Sequence, residues 1–127
     1  MKDPLYLRFP TLVIGDTYGP FYFRPYMSAD GSVYPAQNVT LVSQVRTDTV
    51  QNGGSLLLTL CNAVPTQTPP NKPNPNGYWF WILTATATAT APLAPGEYPV
   101  DITLVYADGT RRTIVQGSIP ISGGTNG

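Results

Sequence analysis

The chain of 127 residues has no histidine, a single cysteine and few charges: Lys and Arg number 7, Asp and Glu number 7, and the formal net charge is zero. Each shortage excludes something. Without histidine, the commonest general base and the commonest transition-metal ligand are both missing. Cys61 has no partner with which to form a disulfide within the chain. It closes the apolar run Leu56-Leu57-Leu58-Thr59-Leu60 and reads as a small buried hydrophobe, because no histidine is present to activate a thiolate. Charged residues make up 11% of the chain, against about a quarter in an ordinary soluble domain. A chain with no positive surplus has no field with which to neutralise phosphates, so nucleic acid is not an expected partner. Near-zero net charge favours association instead. No window approaches the roughly 20 apolar residues of a membrane span. The first residues, with Asp3, Pro4 and Arg8, lack the apolar core of a signal peptide. The expectation is a protein made and kept soluble in a cytoplasm, with no membrane partner and no meaning in the sequon Asn38-Val39-Thr40.

What the chain has in abundance is punctuation. Its 14 Pro and 12 Gly divide it into short pieces rich in Val, Ile, Thr, Tyr and Phe, with no sustained helical period, and such pieces read as strands. Residues 5–14 form a first strand interrupted by Pro10, as at an edge or bulge. Residues 17–27 alternate, with Phe21 and Phe23 on one face, and Asp30-Gly31 turns the chain. In residues 39–46, Val39, Leu41, Ser43 and Val45 share a face. Asn52-Gly53-Gly54 signals a hairpin, and residues 55–61 follow as a buried strand. Five prolines in residues 64–77 forbid helix and central strand and predict an exposed loop of polyproline character. Tyr78-Trp79-Phe80-Trp81-Ile82-Leu83 is the most apolar cluster, and it runs into an alternating Thr/Ala stretch, residues 84–91, that has the period of a strand. Residues 92–96 punctuate again, as a single helical turn.

The best patterned segment is the last. Residues 96–121 fold back on Asp108-Gly109, and a two-residue loop would pair Tyr106 with Arg111, Leu104 with Thr113, Ile102 with Val115 and Tyr98 with Ile119. One face is then apolar, and the other, with Val105 opposite Arg112, Thr103 opposite Ile114 and Asp101 opposite Gln116, is mixed. These strand candidates predict an all-β, immunoglobulin-like antiparallel β-sandwich of about seven strands. It occupies residues 12–122, after an N-terminal arm or edge strand at 1–11 and before a flexible tail at 123–127. The expected core is Phe21, Phe23, Val39, Leu41, Leu58, Leu60, Phe80, Ile82, Val100, Ile102, Leu104, Val115 and Ile119.

No catalytic constellation is legible. The carboxylates are Asp3, Asp16, Asp30, Asp48, Glu97, Asp101 and Asp108; Asp30 and Asp108 precede Gly and belong to turns. Asp16, Asp48 and Asp101 would make an oxygen-ligand cation site only by converging, and no spacing brings them together. The expectation is therefore no catalysis, no cofactor and no metal. Tyr78-Trp79-Phe80-Trp81 reads first as a strand buried on both sides; the alternative is that one alternate pair faces the core and the other is free for a subunit contact or, less favoured, a stacked sugar. The candidate interface residues are Trp79 and Trp81, with Pro69, Pro70, Lys72, Pro73 and Pro75 of the proline-rich loop, whose length suits a contact between subunits.

One order of signals goes further. Gly15-Asp16-Thr17 with Phe21 and Phe23, then Asp30-Gly31, the strand 39–46 ending in Arg46, Pro95-Gly96-Glu97-Tyr98, Asp101-Ile102, Asp108-Gly109 and Gly117-Ser118-Ile119-Pro120-Ile121 resemble, in sequence, the Ig-like N-terminal module of tailed-phage baseplate upper proteins and tail-fibre attachment proteins. The resemblance spans roughly residues 12–122. It implies a non-enzymatic virion structural protein, made in the host cytoplasm, that docks tail, baseplate or fibre components and works in many copies or as a homo-oligomer beside other virion proteins. Such modules usually precede a long fibre region, whereas here little follows Ile121. A capsid cement or decoration protein of the same fold is therefore a second expectation, and a carbohydrate-binding module for a host surface is a third.

Overall fold

The computed structural model describes residues 5–23, 39–67 and 79–123. In chain order they form β1 (Leu5–Arg8), β2 (Leu12–Val13), β3 (Tyr18–Phe23), β4 (Thr40–Arg46), a 3-10 turn (Val50–Asn52), β5 (Leu56–Ala63), β6 (Thr66–Gln67), β7 (Trp79–Ala85), a one-turn helix α1 (Ala87–Thr90), β8 (Gly96–Val105) and β9 (Arg111–Ser122). The class is all-β, with two sheets and little helix. One sheet has the order β1-β9-β8-β4-β5, with β2 also on β9; the other has the order β3-β7-β6. The turn Asp30-Gly31 lies outside the described residues.

Proline and alternation set the strands. Pro10 separates β1 from β2, and both run parallel to β9. Gly117 of β9 admits β1 at close quarters, because a Cβ there would run into the Leu7 carbonyl. In β4 every second residue, Leu41, Ser43 and Val45, is buried while Val42, Gln44 and Arg46 turn outward, the period of a sheet with one buried face. The buried residues of both sheets form a single core: Leu41, Leu60, Ile102, Leu104 and Ile119 of the larger sheet cluster with Tyr18, Trp81, Leu83 and Ala85 of the smaller. Cys61 is buried there, and burial pushes its thiol upward. Tyr18 donates its hydroxyl to the Pro10 carbonyl at 2.8 Å, and burial pushes its phenol up to about 12.

Five local expectations are corrected. In β7 the inward residues are Trp81, Leu83 and Ala85, not Phe80 and Ile82, which are half-buried. Phe21 is exposed and Phe23 half-buried rather than in the core. The Thr/Ala stretch is strand only to Ala85. Thr86 then caps a helical turn, its hydroxyl accepting from the Ala89 N–H at 3.1 Å, and the alanines favour the helix. The fully buried Thr90 hydroxyl fastens that turn to the β2–β3 connection, accepting from the Gly15 N–H at 3.1 Å and donating to the Asp16 carbonyl at 2.8 Å. The proline-rich stretch also begins with a strand, since Thr66 and Gln67 pair with Phe80 and Trp79.

The fifth correction concerns the closing hairpin. Tyr106 bonds Thr110 across a three-residue loop (N–H to carbonyl, 2.8 Å), with Gly109 at φ +90°. That is the three-residue alternative to a two-residue turn. The pairs near the loop are Val105 with Arg111, Leu104 with Arg112 and Thr103 with Thr113; beyond a bulge between Ile102 and Thr103 they return to Ile102 with Val115 and Tyr98 with Ile119. The far half of the predicted register holds, and the near half is shifted by one residue, with Ile114 as the extra residue of the bulge.

Candidate functional site

That bulge shapes the outward face of the larger sheet. With regular two-residue pairing, Ile114 and Arg112 would stand beside Thr103 and Val105. The shift places Thr113 and Arg111 beside them instead, and re-aiming side chains is a recurrent use of bulges near binding sites. Two further irregularities, between Ser43 and Gln44 and between Val45 and Arg46, bend the β4–β5 pair. The face is concave and holds a groove of about 680 Å³, within the usual range of ligand pockets, about 300–1,000 Å³.

One rung crosses four strands in this groove. Gln44 of β4 stands opposite Asp101 of β8, Asp101 opposite Gln116 of β9, and Gln116 opposite Tyr6 of β1. The next rung carries Thr103 and Thr113, whose hydroxyls lie 3.0 Å apart. Burial pushes the Asp101 carboxyl above its ordinary range, while the Gln44 backbone and the charges of Arg46 and Arg111 pull it partly back. No ion pair closes on Asp101 among the described residues; the pair Arg8–Glu97, at 3.2 Å, is at the surface. Arg46 donates to the Gln44 side-chain oxygen at 2.8 Å and to the Gly54 carbonyl at 3.5 Å. Its Nε is buried and has no partner among the described residues, at a cost of about 1–3 kcal/mol. Tyr6 is 67% exposed, and its hydroxyl donates to Ser118 Oγ at 3.2 Å, which fixes the ring at the groove's end.

A second surface is apolar. Between β1 and β3 lies a groove of about 170 Å³ lined by Leu7, Phe9, Pro10, Phe21, Tyr22 and Leu83, among others. Phe21 and Tyr22 are 38% and 68% exposed. Tyr22 stands edge-on to Phe80 with ring centroids 5.4 Å apart, so the rings are held in place at the surface.

The interface candidates singled out from sequence fall elsewhere. Trp81 is 1% exposed, and its indole N–H donates to the Val39 carbonyl at 3.3 Å. It is a core residue and offers no surface to a partner. Trp79 opens β7 opposite Gln67. Pro69, Pro70, Lys72, Pro73 and Pro75 lie outside the described residues. Asp48 and Asp101 line the polar groove, whereas Asp16 follows β2 in the turn before β3. Among the described residues no three His, Cys, Asp or Glu gather as a cation site would require. The groove residues Gln44 and Gln116 and the surface residues Phe21 and Tyr22 were not candidate site residues, and Asp101 was weighed only as a cation ligand. Their signal was the mixed outer face of the hairpin and an aromatic alternation read as core.

No family model, no curated protein and no solved structure matches this chain.

Proposed function

We propose that this chain is an immunoglobulin-like module that acts by docking rather than by catalysis, as a structural component of a phage virion joining tail, baseplate or fibre parts. The strand order supports the fold. We assign β3, β7 and β6 to B, E and D, and β4, β8 and β9 to C, F and G, with β5 extending the second sheet as a variable-type domain would, and the observed strand order is compatible with that assignment. The departure is that β1 and β2 join the β9 edge. Tyr98, near the start of β8, donates its hydroxyl back to the Ala94 carbonyl at 2.9 Å, the arrangement of the tyrosine corner of such domains. Val100, buried two residues on, stands where antibody domains carry a cysteine.

The observation that carries the docking reading is the apolar surface of Leu7, Phe21 and Tyr22 over the β1–β3 groove. Large apolar side chains clustered at a surface mark contact sites, and here they belong to a chain with zero net charge. The phage assignment rests on the order of sequence signals. Mass spectrometry of purified virions, separated into heads and tails, tests it. The chain is expected in the tail fraction; finding it only in heads favours a decoration protein, and its absence from both overturns the virion reading.

A further inference from the structure

We propose that the outward groove of the β1-β9-β8-β4-β5 sheet is a binding site for a short, uncharged oligosaccharide, with Asp101 and Gln116 taking its hydroxyls and Tyr6 stacking on a pyranose face. This is a different face from the apolar docking surface and does not depend on the virion assignment.

Charge comes first. The groove is lined by two carboxylates, Asp48 and Asp101, and two guanidinium groups, Arg46 and Arg111. These cancel, so the groove has no surplus with which to hold a phosphate, a nucleic acid or an acidic peptide. It is nevertheless dense in hydrogen-bonding groups of both senses. A carboxylate accepts from two neighbouring hydroxyls, an amide both donates and accepts, and a guanidinium donates along a planar edge. A polyol such as a sugar ring presents donors and acceptors on adjacent carbons and matches that mixture.

Backbone pairing decides against a peptide. β4, β8 and β9 are each paired on both sides, so the floor has no free strand edge for an added strand, and recognition rests on side chains alone.

The fold holds these side chains in place before any ligand arrives. Gln44, Asp101, Gln116 and Tyr6 occupy one rung of four paired strands. Thr103 and Thr113 satisfy one another, and Arg46 is held by Gln44 and Gly54. Preorganisation lowers the ordering cost of binding. The half-buried Asp101 carboxyl, on which no ion pair closes among the described residues, keeps acceptor capacity that a surface salt bridge would have used. Tyr6 adds an exposed ring, tied at its hydroxyl, at one end of the groove.

The test is an array of neutral and acidic di-, tri- and tetrasaccharides, probed with the full chain displayed in several copies. A titration of the best ligand follows by nuclear magnetic resonance. The wild type is expected to bind at least one neutral member, with shifts at Gln44, Asp101, Thr103 and Gln116. Asp101→Asn and Tyr6→Ala should each weaken binding at least about tenfold, and Phe21→Asp should leave it unchanged. Tyr6 is exposed, so its variant tests the site even if a groove-floor variant folds poorly. The proposal is overturned if no neutral member binds, if only acidic members bind, or if binding survives both Asp101→Asn and Tyr6→Ala.

Discussion

Asp101 is a residue that the fold would hold better as an amide. Its carboxyl is pushed upward chiefly by burial, so ionising it costs more in the folded chain than in the unfolded one. At low pH the group is neutral in both states and imposes no penalty. As pH rises through the carboxylate range the unfolded chain ionises first, and stability falls until the folded carboxyl has ionised as well. Asp101→Asn should therefore raise the denaturant midpoint at neutral pH, with the gap from wild type closing as pH is lowered. Chemical denaturation of both proteins across the acid range checks this; a variant less stable than wild type at neutral pH would contradict it. Stability gained together with lost glycan binding is the exchange expected of a functional residue held at some cost to the fold. Trp81 illustrates the opposite case, a conspicuous aromatic employed in structure. Its ring packs in the core near Phe23, centroids 6.4 Å apart, and its N–H is used internally.

At the scale of elements, β1 depends on one position of its neighbour. A side chain at Gly117 would meet the Leu7 carbonyl, so Gly117→Val should detach β1 while leaving β4, β8 and the rest of β9 folded. Hydrogen exchange should show lost protection confined to residues 5–9; unchanged protection there would contradict the account. The same elements show how far the sequence could be read. The periods of β4, β5 and the far half of the β8–β9 hairpin are clean, and those strands and their inward faces follow from alternation and turns. The parity of β7 was not legible because residues 78–83 are apolar throughout, and a uniform run has no period. What selects Trp81 over Phe80 is a contact distant in sequence, the Val39 carbonyl. In residues 84–91 the Thr/Ala alternation suits a strand, yet a threonine that caps and another whose hydroxyl is buried turn its second half into helix. The bulge at Ile114 was hidden for a related reason. A three-residue and a two-residue loop share the Asp-Gly signal, and only the restored register beyond the bulge distinguishes them. Only the Thr103–Thr113 and Val105–Arg111 end of the mixed face depends on that bulge, so the Asp101–Gln116 pair could be read from the pattern while its Thr113 and Arg111 neighbours could not.

At the scale of the whole molecule, the chain presents two surfaces of opposite character. One is a polar, charge-balanced groove on the outer face of the larger sheet; the other is an apolar strip where β1 meets β3. Residues 5–9 border both, with Tyr6 toward the first and Leu7 and Phe9 toward the second. A module built this way can dock through one face and leave the other open to a ligand. On the proposed docking role, Leu7, Phe21 and Tyr22 are covered by a partner in the assembled particle. Hydroxyl-radical footprinting of the isolated chain and of intact virions tests it most directly. Phe21 and Tyr22 are expected to be modified readily in the isolated chain and strongly protected in the particle, with Tyr6 reactive in both. Equal modification of Phe21 and Tyr22 in the two samples would contradict it.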